Sequence, residues 1–315
     1  MYELSVVFLT YNSAPEAVKE SLKSIITQKD VDLEVIVADD GSKDNLKNVI
    51  EKFFDEYAFT DYKIVLNPEN GGIVANLESG LNVAEGEFTK VLSPGDRLCS
   101  EQTMRGWLDF MKAGGFKWSF SNAVYYYKDK LGNDVYISGE AHPQDLKPYI
   151  KRDDKGCRWN YIVLKDIAIG ATLLSGTDIQ RKYCKIIKKA GVKYAEDNMW
   201  RLLMFEGEVG AYYPKEAVLY ETGSGMSTSG SDIWQQRLLK DWMTTDELMR
   251  MTKPLDSFQQ AMLKGIRDNQ NAFQKLLVKG KLRHKISRII NKRMTQCPQI
   301  NETDNQTSNS SGSSR

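Results

Sequence analysis

Membrane-spanning runs and paired cysteines are both missing from this chain of 315 residues, and each absence excludes a class of protein. No apolar stretch approaches the roughly 20 residues that a helix needs to cross a bilayer. The four cysteines contain no Cys-x-x-Cys spacing, so neither a zinc site nor a secreted disulfide framework is indicated. Met1 leads almost directly into the first predicted strand and not into a signal peptide. We therefore expect a cytoplasmic protein.

Basic residues are few in the first part of the chain and outnumber acidic residues in the rest, although the net charge is only +1. Residues 1–98 carry 9 Lys and Arg against 18 Asp and Glu, whereas residues 99–315 carry 34 against 24. An acidic region repels phosphate, so a phosphate ligand there relies on local N–H donors and a metal ion. The basic region is suited to anionic partners.

Strands and helices alternate in the first part of the sequence. Three short apolar runs, Leu4–Thr10, Leu33–Ala38 and Lys63–Leu66, are typical of strands buried on both faces. The predicted helices between them are Pro15–Thr27, with Ser13 as its N-cap, and Asp44–Tyr57. This alternation predicts a parallel sheet built from βαβ units.

The most informative stretch runs from Asn67 to Leu98. It contains a Gly-rich loop, a small-residue helix, a buried strand and then a lone carboxylate, Asp96, at the end of that strand. Ligands of α/β sheets usually bind at the carboxyl ends of the strands. Asp96 is therefore well placed to face a phosphate and its metal ion.

Five segments, in this order, resemble the inverting nucleotide-sugar transferases of glycosyltransferase family 2. The segments are Val6–Asn12, Asp39–Asp44, Asn70–Gly72 with Ala75–Asn76, Ala84–Phe88 and Glu196–Asp197. Each alone has an ordinary structural explanation, since Asp-Asp-Gly-Ser is also a common turn. Together they cover roughly residues 2–225. The resemblance implies an α/β fold of the GT-A type, a Rossmann-like, mostly parallel central sheet flanked by helices, with a helical C-terminal extension.

The resemblance also implies where a nucleotide-sugar donor binds. Thr10 and Tyr11 would lie along a uracil base, with the Tyr11 ring stacked on it, and Asp39 would accept a hydrogen bond from the imide N–H. The structural alternatives are strand-end packing for Tyr11 and a helix cap for Asp39. The other residues assigned to the donor are Asn70, Gly71, Asn76, Ser93, Gly95 and Ser224.

The metal-binding motif of the family is reduced in this sequence. The usual Asp-x-Asp pattern is here Ser93-Pro94-Gly95-Asp96, so only the last acidic position is filled. One carboxylate can still hold Mg²⁺ or Mn²⁺ if diphosphate oxygens and water complete the octahedral coordination. We expect Asp96 to be this ligand, and a simple turn residue after Pro-Gly is the alternative. Val74 stands where many relatives carry an Arg, so one donor to the nucleotide is missing.

A second group of predicted elements leads to the pair Glu196–Asp197. The sequence predicts a buried strand over Gly170–Gly176, a helix over Thr177–Ala190 and an apolar helix over Asn198–Phe205. The resemblance implies that Asp197 is the general base, which accepts the proton of an acceptor hydroxyl as that hydroxyl attacks the anomeric carbon. Glu196 would orient the acceptor or brace the loop. The alternative is a favourable charge pair at a helix N-terminus.

Two further segments have both a functional and a structural interpretation. Tyr220–Gly230 is rich in Gly and Ser and is either a loop that closes over the diphosphate or a plain linker. Aromatic side chains that alternate along a strand either stack on sugars or form the core. The aromatic residues in question are Trp118, Phe120, Tyr125, Tyr126 and Tyr127, with Trp159 and Tyr161 in a predicted loop.

The C-terminal part contains a basic amphipathic segment, residues 274–294. It has eight Lys or Arg and no acid, with Leu282, Ile286, Ile289 and Ile290 at helical spacing. This pattern is typical of a helix lying on an anionic membrane surface, and also of a helix packed on its own domain with a solvated basic face. We predict a GT-A domain over 1–225, divided into a nucleotide-sugar half (1–98) and an acceptor half (99–225), then a helical extension (226–295) and a disordered tail (296–315).

The predicted function is transfer of a sugar, with inversion, from a nucleotide-sugar, most simply a UDP-sugar, to a glycan or lipid-linked acceptor hydroxyl. The expected cofactor is a divalent metal, Mn²⁺ or Mg²⁺. We expect peripheral contact with the inner face of the cell membrane through residues 274–294 and no nucleic-acid partner. A bacterial surface-polysaccharide pathway is the setting suggested by analogy.

Two alternatives to this function are kept. A sugar-1-phosphate nucleotidyltransferase has a related sheet, but it would need a Gly-rich, basic loop after the first strand, and Tyr11–Pro15 supplies none. An inactive, nucleotide-binding scaffold is suggested by the reduced metal motif, while the presence of both Asp96 and Asp197 argues against it.

Overall fold

The computed structural model describes residues 2–223 and 231–278, with side chains through residue 270. The strands are β1 (Leu4–Thr10), β2 (Leu33–Asp39), β3 (Tyr62–Leu66), β4 (Phe88–Leu92), β5 (Arg97–Leu98), β6 (Trp118–Lys128), β7 (Asp134–Ile137), β8 (Leu173–Gly176) and β9 (Ala211–Glu221). The helices are α1 (Pro15–Ile26), α2 (Lys47–Glu56), α3 (Ile73–Val83), α4 (Thr103–Gly114), α5 (Lys147–Lys151), α6 (Asp154–Ile162), α7 (Thr177–Ala190), α8 (Asn198–Glu206), α9 (Asp232–Met251) and α10 (Ser257–Val278), with a 3₁₀ turn over Gly170–Thr172.

These strands form one sheet in the order β3-β2-β1-β4-β8-β6-β9-β5, with β7 paired to β6. The predicted parallel arrangement holds from β3 to β4, where each strand is followed by a helix or a long crossover. Beyond β4 the sheet is mixed, because β8 runs antiparallel to both β4 and β6, while β9 is parallel to β6. The carboxyl ends of β1, β2 and β4 therefore meet at one edge.

Both faces of the sheet are covered by apolar layers. On β1, Val6 and Phe8 face the layer of α1, α2 and α4, whereas Val7 and Leu9 face the layer of α3, α7 and α8. Since successive side chains of a strand point to opposite faces, burial on both sides requires the unbroken apolar run seen in the sequence. All seven residues of β1 are buried.

The C-terminal ends of α7 and α8 are set by glycine residues. Both α7 and α8 stop at glycines in the left-handed conformation, Gly191 with φ 98° and Gly207 with φ 104°. Glycine adopts this conformation without a Cβ clash, so the last carbonyl groups find N–H partners in the turn. The helix predicted over Thr177–Ala190 is confirmed at both ends.

Several local expectations differ from the structure. The N-cap of α1 is Ala14, because the Ser13 hydroxyl instead accepts a hydrogen bond from the backbone N–H of Tyr11. The strand predicted from Gly170 starts with a 3₁₀ turn and becomes extended only at Leu173. Trp159 and Tyr161 lie on α6 and not in a loop. Of the aromatics on β6, Trp118, Phe120, Tyr125 and Tyr126 are buried in the core and Tyr127 is exposed.

Contacts divide the chain into two compact units, residues 1–266 and 267–315. Helix α9 belongs to the first, and it packs against α8 through a buried ion pair in which Arg201 donates to Asp246 at 2.6 Å. The predicted division at residue 225 stays a prediction. The tail 296–315 and most of the basic segment 274–294 lie outside the described residues. Within the described ranges, no helix has the length and apolar character needed to span a membrane.

Candidate active site

The ends of β1 and β2 bring together Thr10 and Asp39, two residues that the resemblance assigns to the donor. The Asp39 carboxylate accepts hydrogen bonds from the Thr10 hydroxyl at 3.0 Å and from the Ser42 hydroxyl at 2.7 Å. The backbone N–H of Ser42 donates to the other carboxylate oxygen at 2.8 Å. Tyr11, the next residue after β1, is 50% exposed. An anchored carboxylate thus lies beside an accessible aromatic ring at the carboxyl edge of the sheet.

Asp40 is a site residue that the sequence reasoning missed. Its two carboxylate oxygens accept the backbone N–H groups of Gly71 at 2.9 Å and Gly72 at 3.0 Å. Burial raises the pKa of Asp40, and these two hydrogen bonds oppose the rise. The Asp-Asp-Gly turn and the Asn-Gly-Gly loop are therefore held together, and the doublet Asp39-Asp40 was the available signal.

The predicted donor residues in the Gly-rich loop and in α3 occupy different environments. Asn76 is buried, donates to the Ala38 carbonyl at 2.9 Å and accepts from the Asn67 side chain at 2.9 Å. Its amide therefore braces the end of β2. Asn70 is exposed and Gly71 lies beside Asp40. Ser224 lies outside the described residues.

The Ser93–Asp96 turn follows β4 at the same edge. The backbone N–H of Asp96 donates to the Ser93 carbonyl at 3.0 Å, and the N–H of Gly95 donates to the Ser21 hydroxyl at 3.1 Å. Gly95 has φ 98°, and a side chain there would collide with the carboxylate of Glu221. The turn thus requires glycine at this position, and it places Glu221 next to Asp96, which the sequence did not reveal.

Asp96 is only 8% exposed, and burial raises the pKa of its carboxyl to about 7. The main opposing influence is Lys90, a fully buried lysine of β4 whose own pKa is lowered to about 7 by burial. The Lys90 ammonium donates to the carbonyl of Val91 at 3.0 Å and to that of Ala171. A buried lysine therefore accompanies the one carboxylate of the reduced motif.

Glu196 and Asp197 lie at the N-terminal end of α8 and are partly accessible. Burial is the largest cause of a raised pKa in both carboxyls. The negative charge of Asp197 raises the pKa of Glu196 further, whereas the Arg201 guanidinium lowers that of Asp197. The surroundings therefore raise the pKa of Glu196 more than that of Asp197.

Arg201 is itself fixed by three contacts, none of which the sequence predicted. Besides its ion pair with Asp246, it donates to the Asn198 side chain at 2.9 Å. Its guanidinium lies 4.0 Å from the ring centre of Trp242 on α9. Arg201 and Asp246 are both fully buried, so the cation that acts on Asp197 cannot move away from it.

The turn and the carboxylate pair belong to one site. The charge of Asp96 contributes to the raised pKa of Glu196, and a side chain on Gly170 would meet Glu196, which places Glu196 beneath the 3₁₀ turn. Ala171 of that turn also accepts from Lys90. The carboxyl edge of the sheet therefore faces, on one side, the loops assigned to a nucleotide and, on the other, a carboxylate suited to accept a proton.

This arrangement defines an α/β transferase of the GT-A type, and sequence similarity identifies the family. Residues 5–158, about half of the chain, match the Glycosyl transferase family 2 profile. Residues 5–158 therefore form a glycosyltransferase family 2 domain. The resemblance and the fold predicted from the motifs are thereby confirmed.

Two curated relatives illustrate the sequence similarity. The uncharacterized glycosyltransferase EpsJ of Bacillus subtilis is 25% identical over 210 residues, which are 64% of this chain and 56% of EpsJ. The GalNAc(5)-diNAcBac-PP-undecaprenol beta-1,3-glucosyltransferase of Campylobacter jejuni is 35% identical over 100 residues, 32% of each chain. The matched regions thus span at most just over half of these relatives.

Solved structures share the fold at low sequence identity. Residues 1–349 of S. aureus TarS in complex with UDP-GlcNAc have a TM-score of 0.57 at 16% identity, and the likeness covers 86% of this chain and 73% of that fragment. A mannosyltransferase of Pyrobaculum calidifontis, in complex with GDP-Man and Mn²⁺, has a TM-score of 0.57 at 14% identity, covering 84% and 68%. These likenesses establish the fold.

Proposed function

We propose that this glycosyltransferase transfers a sugar, with inversion, from a UDP-sugar to a hydroxyl of a glycan or lipid-linked acceptor. The observation that carries the proposal is the pair Glu196–Asp197, in which a fixed buried cation favours the ionised form of Asp197 at the cleft. Inversion requires that the acceptor attack the face of the anomeric carbon opposite the nucleotide. A carboxylate held there can accept the hydroxyl proton during the attack.

Donor binding is assigned to the loops after β1 and β2. Thr10 and Asp39 form a connected polar group next to the accessible ring of Tyr11, which suits the edge and face of a pyrimidine base. TarS has been solved with UDP-GlcNAc and the Pyrobaculum enzyme with GDP-Man. The fold therefore accepts either nucleotide, and our choice of UDP rests on Thr10, Tyr11 and Asp39.

A divalent cation fits the residues at the Ser93–Asp96 turn. No group of three or more His, Cys, Asp or Glu suited to a metal occurs within residues 2–223 and 231–278. Asp96 and Glu221 nevertheless offer two neighbouring carboxylates at this turn. A hard cation accepts such ligands with diphosphate oxygens and water. When bound, the ion would neutralise charge on the leaving diphosphate.

The other steps, holding the donor loop and accepting the proton, are assigned to side chains of this chain. Asp40 holds the loop at Gly71 and Gly72 that the donor would contact, and the Asn76 amide braces the end of β2. Asp197 would take the proton from the acceptor hydroxyl. Glu196, which keeps its own proton more readily, leaves that role to Asp197.

The acceptor and the membrane contact are assigned by chemistry and analogy. The Campylobacter relative is named for an undecaprenol-linked glycan substrate. A lipid-linked acceptor lies at a membrane surface, where the basic segment 274–294 would add electrostatic attraction to anionic lipid. We accordingly propose a cytoplasmic enzyme that is peripheral on the inner face of the cell membrane and acts in surface-polysaccharide synthesis.

Release of UDP from a panel of UDP-sugars, with GDP-mannose for comparison, tests the proposal. We expect UDP release that depends on Mn²⁺ or Mg²⁺ and that Asp197→Asn removes. Formation of a nucleotide-sugar from a nucleoside triphosphate and a sugar 1-phosphate would instead identify a nucleotidyltransferase. Binding of UDP without turnover of any donor, in the presence of lipid-linked acceptors, would indicate an inactive scaffold.

A further inference from the structure

Asp241 on α9 holds the segment that leads into the carboxylate pair. A single carboxylate oxygen of Asp241 accepts three consecutive backbone N–H groups, from Lys193 at 3.1 Å, Tyr194 at 2.6 Å and Ala195 at 3.0 Å. Asp241 is 3% exposed. Hydrogen bonds to an ionised acceptor in a buried setting are strong and directional. The backbone of residues 193–195, called the base segment below, is therefore fixed from α9.

The base segment also contacts the donor side of the site. The carbonyl of Lys193 accepts the backbone N–H of Val74, in the first turn of α3, at 3.0 Å. A Cβ on Gly72, which has φ 90°, would lie 2.8 Å from the same carbonyl. Gly72 is in turn held by Asp40. One continuous set of contacts thus runs from α9 through the base segment to the Gly-rich loop.

We infer that Asp241 is a positioning residue for sugar transfer, which fixes the base segment, and with it Asp197, against the loop assigned to the donor. The inference rests on the proposed function. It extends the catalytic apparatus to α9, which begins at Asp232, well after the family match ends at residue 158. Transfer needs the base and the donor to be placed within a fraction of an ångström, and α9 supplies one fixed end of that arrangement.

Charge gives Asp241 a second, separable effect. Its carboxylate raises the pKa of both Glu196 and Asp197. Two other charged groups and one neutral titratable group lie near the pair, on three different elements. From α8, Arg201 lowers the pKa of Asp197; from the turn after β4, Asp96 raises that of Glu196; from α6, the neutral Tyr161 hydroxyl is near Asp197. Removing the charge of Asp241 should therefore lower the pKa of Asp197.

Three variants separate position from charge. Asp241→Asn keeps the shape and one accepting oxygen but removes the charge, Asp241→Glu keeps the charge but displaces it, and Asp241→Ala removes both. Glu247→Gln, an exposed position on the same helix, is the matched control for charge. The measurements are kcat, donor KM, UDP affinity by calorimetry, and the pH dependence of kcat.

We expect all three Asp241 variants to lose about 10- to 100-fold in kcat, as small misplacements of reacting groups do. UDP affinity should change less than about 3-fold. In Asp241→Asn the acidic limb of the kcat profile should move to lower pH, because a carboxylate base with a lower pKa stays ionised further into acid. In Asp241→Glu this limb should stay, and Glu247→Gln should match the wild type.

Two results would overturn the inference. The first is a kcat for folded Asp241→Asn within about 2-fold of wild type with an unmoved acidic limb. The second is an equal loss of UDP affinity and kcat, which indicates general damage to the fold. If Asp241→Ala does not fold, Asp241→Asn and Asp241→Glu decide alone. Should Asp197→Asn retain turnover while the Asp241 variants lose it, the base assignment fails but the positioning of the segment stands.

Discussion

The two sides of the candidate site are built in different ways. On the nucleotide side, short segments at the ends of β1, β2 and β4 hold one another through neighbouring turns, as Asp39 does with Ser42. On the base side, Asp197 depends on a cation in α8 and on a helix that begins 35 residues later in the chain. The comparison shows that contacts between strand ends can be recognised from local motifs, whereas the pKa of a buried carboxyl depends on long-range packing.

Asp197→Asn should have the largest effect on kcat, and it alters only the base side of the candidate site. The amide keeps the shape of the side chain but cannot take a proton, so kcat should fall about 10²- to 10⁴-fold while UDP-sugar affinity stays nearly unchanged. Turnover assays and calorimetry on the same preparation measure both. A variant that keeps more than about a tenth of wild-type kcat would show that another residue is the base.

Arg201→Met should break the packing on which the base side depends. The substitution takes the Arg201 cation away from the buried Asp246 carboxylate, and we expect a loss of about 3–5 kcal/mol in the free energy of unfolding. Denaturant unfolding measures this loss. The matched control is Arg201→Met with Asp246→Leu, which removes both charges and should restore most of the stability.

The same double variant tests whether the charge of Arg201 controls the pKa of Asp197. Without the Arg201 cation the pKa of Asp197 should rise further, so the acidic limb of the kcat profile should move to higher pH, opposite to the shift expected for Asp241→Asn. An unmoved limb in a stable double variant would mean that Arg201 serves packing only.

Asp96→Ala tests the nucleotide side. Removing Asp96 leaves Glu221 as the one carboxylate at this turn, so the dependence of UDP affinity on Mn²⁺ should fall sharply. Calorimetry with UDP, with and without Mn²⁺, on wild type and variant gives four affinities to compare. Equal affinity in all four would make Asp96 a turn residue and nothing more.

Gly72→Ala disturbs the junction between the two sides. Its backbone, at φ 90°, is unfavourable for alanine, and the added Cβ would press on the Lys193 carbonyl. We expect a stability loss of about 1–3 kcal/mol together with a lower kcat. Gly132→Ala is the matched control, since φ there is 84° and nothing lies within 4 Å of the added Cβ. Equal effects on kcat would show that the junction contact is unimportant.

Removal of residues 274–315 should have the smallest effect on chemistry. Both sides of the site lie earlier in the chain, so transfer to a short soluble acceptor should persist, while binding to anionic vesicles should weaken. Each basic residue near such a surface contributes about 1 kcal/mol, and added salt should weaken binding of the full chain. Co-sedimentation of the truncated protein at wild-type levels would exclude the basic segment as the anchor, and unfolding would show that it packs on the domain.

Local sequence patterns predicted much of the frame. The apolar runs predicted both ends of β1 correctly and the ends of β2 and β3 to within one residue. Both ends of α7 were also predicted correctly. The N-cap of α1 was predicted wrongly, because the Ser13 hydroxyl accepts a hydrogen bond from the Tyr11 N–H and not from the helix. Helix α2 begins at Lys47, three residues after the predicted start at Asp44. Boundaries depend on which of several competing hydrogen bonds forms, and this is settled by the surrounding chain.

The candidate site divides in the same way. Thr10 and Asp39 were predicted and lie together, whereas Asp40, Lys90 and Asp241 were missed. Asp40 was missed because the resemblance assigned a role only to its neighbour Asp39. A lysine in a buried strand and an aspartate in a helix carry no local signal of their function, since their effects arise from burial and from partners far away in sequence.

The sequence by itself determined the class of fold, the family and the order of the motifs, because periodicity and turn chemistry act over a few residues. Only the tertiary structure decided which carboxyl is held ionised, which backbone segment α9 fixes, and that Glu221 lies beside Asp96. These properties depend on the electrostatic environment and the distances between groups that the chain brings together only when it folds.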